Sequence, residues 1–193
     1  MNSAEHESNS KSKNFFKGLI EELELLAIVF AIIVLLFSFV FRTCQVSGDS
    51  MKDTLYDKET VVISNLFYTP KRNDIIVFHQ TGDLYNEPIV KRVIGLPGDT
   101  VNIEYTRDTM IVTVIDKDGN VNVLEEDYIN YDGPRFYKNS STYVEEGTVF
   151  AMGDNRSYSA DSRSSAIGLI DERKILGKVV IRLTPISRFG TVS

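Results

Sequence analysis

Ser50, followed by Met51, and Lys91, which opens the run Lys91-Arg92-Val93-Ile94-Gly95-Leu96-Pro97-Gly98-Asp99, are the residues of this chain best suited to chemistry. A serine hydroxyl is a weak nucleophile near neutral pH and needs an adjacent base. Few bases are on offer. Of the two histidines, His6 lies on the far side of an apolar segment, and only His79 could serve a histidine triad. No serine motif of the G-x-S-x-G kind accompanies it. A lysine held neutral by burial can do the same job, so the residues point to a Ser/Lys dyad. Lys91 follows Pro88-Ile89-Val90, an apolar strand able to withhold water from the amine. Taken singly, Lys91 also reads as a solvated strand-edge lysine, and Ser50 as a turn residue or helix N-cap.

The elements that must position this pair begin with an apolar run, Leu25 to Phe41, of 17 uncharged residues. As a helix it is about 26 Å long, slightly short of a hydrocarbon core of about 30 Å, a gap that local thinning covers. Lys11, Lys13 and Lys17 precede the run and Arg42 alone follows closely, so the N-terminus is expected in the cytoplasm and the rest outside. A cleavable leader is not expected, because no small-x-small site follows Phe39-Val40-Phe41-Arg42. Residues 1–14 are polar and expected to be disordered, and Phe15 to Glu24 is amphipathic enough to lie along an interface.

After residue 42 the pattern turns to short β-rich runs: 60–64, 74–78, 89–94, 101–103, 110–115, 121–124, 148–152 and 174–183. Asp116-Lys117-Asp118-Gly119-Asn120 reads as a hairpin turn. A domain of about 150 residues buries about 70% of its unfolded surface and needs no disulfide staple. The single cysteine, Cys44, cannot form an internal one. One cysteine and two distant histidines make no zinc site, and no metal or organic cofactor is expected. The net charge of −6 argues against nucleic acid as a partner. Residues 104–148 hold ten acids and four bases and account for that surplus.

Ser47-Gly48-Asp49-Ser50-Met51-Lys52-Asp53-Thr54-Leu55, the run Lys91 to Asp99, Gly153-Asp154-Asn155-Arg156-Ser157-Tyr158-Ser159-Ala160-Asp161-Ser162-Arg163, and the ending Ile175-Leu176-Gly177-Lys178 through Arg182, Pro185 and Phe189-Gly190 occur in order behind the apolar run. Together they resemble the type I signal peptidases, in the single-anchor form. The resemblance implies an all-β ectodomain of antiparallel sheets, related in fold to self-cleaving Ser/Lys repressors, behind one N-terminal transmembrane helix. It implies a membrane-bound serine endopeptidase that cleaves signal peptides from exported preproteins, with preproteins and membrane lipid as partners and a monomeric state. Ser50 would be the nucleophile and Lys91 the general base, with the Ser50 N–H on the oxyanion. Ser159 would orient the lysine, and Asp161 and Arg163 would form a supporting ion pair. Val46, Gly48, Met51, Leu55 and Ile89 would bind substrate in a shallow pocket for small side chains. The segments Gln45–Gly48 and Glu87–Val90 would grip it as an added strand.

The expected organisation is a cytoplasmic and interfacial segment over 1–24, an anchor over 25–41, a catalytic β domain over 42–103 and 149–193, and a small acidic lobe over 104–148. That lobe is expected to be solvated, so that neutralising Glu125, Glu126 and Asp127 alters activity little. Three departures stand out: Asp53 where the family usually has proline, Gly48 where some members add a hydroxyl, and a longer spacing from Arg163 to Gly168. Three rival readings make different demands on the chain. A self-cleaving repressor would need an Ala-Gly pair, which is absent. An assembly factor on a dead peptidase fold would have lost the serine or lysine, and both are here. A peptidase dedicated to one substrate class, such as pilin-like subunits, stays open beside a housekeeping role.

Overall fold

The computed structural model describes residues 2–80, 87–106, 109–129, 131–133 and 138–192, and in the first helix the side chains from Lys17 onward except Leu36 and Phe39. That helix, α1 (Asn2–Val40), forms one unit and the chain from Phe41 a second. α1 starts inside the polar stretch expected to be disordered and ends one residue before the expected span does, because Phe41 opens a strand. Leu25, Leu26, Phe30 and Phe37 are each more than half exposed on it. Among the described residues no helix is long and apolar enough to cross a membrane. The described stretch of α1 carries Lys17, Glu21, Glu22 and Glu24, and two members of the uncharged run lie outside the described side chains.

The second unit is built of antiparallel strands. β1 (Phe41–Gln45), β2 (Thr60–Ser64), β3 (Ile75–Phe78) and β4 (Ile89–Gly95) precede the lobe. The lobe holds β5 (Thr100–Tyr105), β6 (Met110–Ile115), β7 (Val121–Val123) and β8 (Ser140–Tyr143). The chain returns through β9 (Thr148–Met152), β10 (Ile170–Asp171), β11 (Ile175–Thr184) and β12 (Gly190–Thr191). The main sheet has the order β1-β2-β11-β3-β4-β9-β10, with β12 on β11, and the lobe sheet the order β7-β6-β5-β8. The lobe sheet begins at Thr100, before the acidic stretch, since Val101 and Ile103 alternate inward as a half-buried strand requires.

Burial follows strand periodicity. On β2, Val61 and Ile63 turn inward and their neighbours do not. On β3 all four residues are buried because both faces of the sheet are covered. Ile75 and Val77 join Val46, Met51, Leu55, Val61, Ile63, Val90 and Val179 on one side. Ile76 and Phe78 join Val93, Val149, Ala151 and Ile170 on the other. A third cluster, with Ile94, Val101, Ile103, Val112, Val114, Phe150 and Met152, fixes the lobe sheet against β4 and β9. Although 52 residues of sequence lie between Gly95 and Thr148, β4 and β9 are direct neighbours, paired from Arg92↔Met152 to Gly95↔Phe150. The lobe is therefore an excursion between two adjacent strands.

Candidate active site

Ser50 sits at the head of a short helical turn in the β1–β2 connection. Leu55 N–H donates to Met51 O at 2.7 Å and Thr54 N–H to the same carbonyl at 3.1 Å. Met51 and Leu55, one turn apart, point into the core at 1% and 0% exposure and anchor the turn while Ser50 stays half-buried. Gly48, at φ 83°, adopts the left-handed conformation that glycine tolerates, and its N–H donates to Asp57 Oδ1. Asp53 also lies in that region, at φ 72°. Proline is locked near −65°, so this turn could not carry the family's proline without changing its backbone. Aspartate visits that region more readily than most residues, and the Tyr56 hydroxyl donates to its carboxylate. The charge that Asp53 introduces stays exposed.

Lys91 comes from β4 and is 3% exposed. Its Nζ donates to Ser50 Oγ at 2.6 Å and to Val90 O at 2.9 Å. Burial lowers its pKa from the ordinary 10.5 to about 8, against the opposing pull of Asp161 and Asp154; the Arg163 charge lowers it further. A substantial fraction of the lysine is thus neutral near pH 8. In the neutral form the same contact runs the other way, from hydroxyl to amine, which is the geometry of a base activating a nucleophile. His79, the one other candidate base, sits at the end of β3, with its backbone N–H on Lys174 O.

The loop after β9 supports both partners. Asn155 N–H donates to Ser50 O at 3.0 Å, and Asn155 Nδ2 to Asp49 O at 3.0 Å. At Gly153 a Cβ would collide with the Ser50 carbonyl and the Ser159 side chain, so only glycine allows this close approach. Asp161 accepts from Gly153 N–H and from Arg163 Nε and Nη2, the last two at 2.8 Å. Burial would raise its pKa, but the Arg163 hydrogen bonds and charge outweigh that and hold it below the usual carboxylate value. Arg92, next to the lysine, makes a second bidentate pair with Asp154, at 2.9 and 2.8 Å. Asp154 also accepts from Thr54 Oγ1 at 2.5 Å, tying this pair to the turn that carries Ser50. Both ion pairs are essentially fully buried, and removing one member of such a pair typically costs about 3–5 kcal/mol.

Ser50, Lys91, Ser159, Asp161 and Arg163 are therefore brought together. Ser159 is buried beside Gly153 and close to Asp161, whose pKa its hydroxyl helps to lower. The expected substrate wall divides. Val46, Met51 and Leu55 share one cluster with Val90, whereas Ile89 packs against the cluster on the other side of the sheet. Strand alternation puts neighbours on opposite faces, so Val90, not Ile89, shares a face with Val46 and Met51. Leu55, at 0% exposure, is core under the turn.

The largest correction concerns Glu126. It was expected in solvent, yet its side chain is 4% exposed and bound through both oxygens to Arg156, whose side chain is 0% exposed. Tyr128 donates its hydroxyl to Glu126 at 2.8 Å and lays its ring over the Arg92 guanidinium, 4.0 Å away. An arginine in a motif-bearing loop that folds inward needs an acid, and that unmet demand was the available signal.

The family model described as signal peptidase, peptidase S26, matches residues 19–184 of the chain. Signal peptidase IB of Staphylococcus aureus is 36% identical over 192 residues, covering 90% of this chain and 93% of that protein. Probable signal peptidase I-1 of Synechocystis is 33% identical, covering 94% and 91%. Among solved structures, a signal peptidase I from Enterococcus faecalis V583 is similar with a TM-score of 0.42 and 29% identity, over 57% of this chain and 97% of that one.

Proposed function

Because the chain belongs to the signal peptidase family, peptidase S26, and is a serine endopeptidase acting on the signal peptides of preproteins, we propose that Ser50 and Lys91 carry out its reaction and that residues 25–41 anchor it in a membrane. The observation that carries the dyad is the 2.6 Å contact between a buried lysine amine and a serine hydroxyl. Ser50 Oγ attacks the carbonyl of the residue before the cut as its proton passes to the neutral Lys91. The Ser50 N–H stabilises the oxyanion. The ammonium then gives that proton to the leaving amine, and an acyl-enzyme remains. Water attacks it with Lys91 again as base, which restores the hydroxyl and frees the signal peptide's new carboxylate.

Substrate binding by strand addition has support in the pairing of β4. β9 covers that strand only from Arg92 to Gly95, so Ile89 and Val90 carry no described strand on that flank. The anchor reading rests on the uncharged run and on the basic residues before it. It puts the catalytic unit on the extracytoplasmic side, in the membrane that also holds the substrate's apolar segment. Encounter is then confined to two dimensions, which raises the effective concentration. The full chain purified in detergent should cleave a preprotein, and Ser50→Ala and Lys91→Ala should each abolish cleavage. The double variant should be no worse than either, since the two act as one unit. Substantial cleavage by either folded single variant would remove the dyad.

A further inference from the structure

Three acids in a row, Glu125, Glu126 and Asp127, leave the lobe together, but only Glu126 turns inward. Its carboxylate holds Arg156 through both oxygens, and Arg156 Nε donates to Gly153 O at 3.0 Å. Gly153 is the residue packed against the Ser50 carbonyl, and Asn155, just before the arginine, holds that carbonyl through its N–H. A second line runs in parallel. Tyr128 covers Arg92, Arg92 pairs with Asp154, and Asp154 accepts from Thr54 in the nucleophile's turn. The Tyr128 hydroxyl bonds Glu126 and links the two lines. Farther along, Ser157 Oγ donates to Gly133 O and accepts from Asp132 N–H, so the lobe is fastened to this loop a third time.

We propose that the Glu126–Tyr128 strap of the lobe positions the nucleophile, with Glu126 acting through Arg156 and Gly153 on the backbone that carries Ser50. None of these lobe residues touches the dyad in the described hydrogen bonds; they are positioning residues. The strap is chemically suited to this. A planar carboxylate gripping a guanidinium at both oxygens fixes direction as well as distance. The tyrosine hydroxyl in turn fixes the carboxylate. With both lines in place, Ser50 cannot drift without breaking its carbonyl's bond to Asn155 N–H, nor Thr54 without breaking its bond to the Asp154 carboxylate.

This inference rests on the peptidase reading above. Its test uses the full chain in detergent and a peptide substrate with alanine directly before the cut and two residues earlier. Complete labelling by a covalent active-site inhibitor counts the competent sites, and the steady rate divided by that count gives turnover per working site. A misplacement of about 1 Å can cost about a hundredfold in rate, so Glu126→Gln should lower kcat per site by about ten- to a hundredfold and leave KM within about twofold. Glu125→Gln, the exposed neighbour of equal charge, should match the parent. A merely structural Glu126 would lower the number of labelled sites and leave turnover per site alone, and that result would overturn the proposal. If Glu126→Gln does not fold, Tyr128→Phe decides. It keeps the ring over Arg92 and removes only the hydroxyl on Glu126, and should lower turnover per site by about threefold or more; parental turnover would sink the idea. A parent that cleaves nothing would take down the peptidase reading and this inference together.

Discussion

Replacing Lys91 by methionine should destroy catalysis and stabilise the fold. The side chain is 3% exposed, and its pKa falls from 10.5 to about 8, so near neutral pH the folded protein holds a buried ammonium at a cost of about 3 kcal/mol. That charge is not needed for balance. Asp161 already has Arg163, and Asp154 has Arg92. Methionine has a similar length and no charge, but it forfeits the hydrogen bonds to Ser50 Oγ and Val90 O, at about 1 kcal/mol each. The net expectation near pH 7 is a variant about 1 kcal/mol more stable than the parent, a rise in Tm of about 2–4 °C. The sign of the pH dependence follows from the direction of the pKa change. Because the folded value lies below the unfolded one, the unfolded chain binds the extra proton between about pH 8 and 10.5, and the parent gains stability as pH rises through that window. The methionine variant lacks this gain, so its advantage should be full below about pH 8 and gone near about pH 10. Urea unfolding of both full-length proteins in detergent, followed by far-UV circular dichroism at the two pH values, makes the comparison. A variant less stable than the parent near neutral pH, or a gap that stays constant with pH, would refute the reasoning.

The acidic limb of kcat/KM should lie near about 8, with activity falling about tenfold per pH unit below it, and His79→Ala should leave the profile unchanged. A limb that disappears with His79 would instead make histidine the base. If Val46 and Met51 line the pocket for the residue before the cut, phenylalanine there should stop processing, whereas alanine is cleaved; efficient cleavage after phenylalanine in a peptide assay would discard that wall.

That Ser50 and Lys91 meet was legible because the chemistry is restrictive: a serine needs a base, and the chain has almost no histidine to offer. The strands were legible where one face is buried, as at Val61 and Ile63, since alternation then appears in the sequence itself. Reading failed where one position had two plausible environments. Glu126 stands between two acids that do face solvent, and a run of like charges looks like a wet surface. Its inward turn is strand-like alternation with Tyr128, visible only once Arg156 is known to be buried. The resemblance implies Ile89 and Leu55 as lining residues, and a motif position does not say which face a side chain takes. Alternation along β4 sends Ile89 to the opposite face, and a helical turn puts Leu55 beneath Met51.

The adjacency of β4 and β9 has a consequence for how such a protein can vary. Their ladder pins the two ends of the excursion side by side whatever lies between. Closing a flexible loop of twice the length costs only about 0.6 kcal/mol more, so the outer part of the lobe is thermodynamically inexpensive to lengthen. The hairpin between β6 and β7, where Gly119 takes φ 86° and Asp116 caps the turn, is a natural port for such growth. Material added there, whether a fused tag or a natural insertion, leaves the β4–β9 ladder untouched. The lobe thus divides into a freely extensible tip and a root whose Glu126 and Tyr128 are held by buried contacts to Arg156 and Arg92.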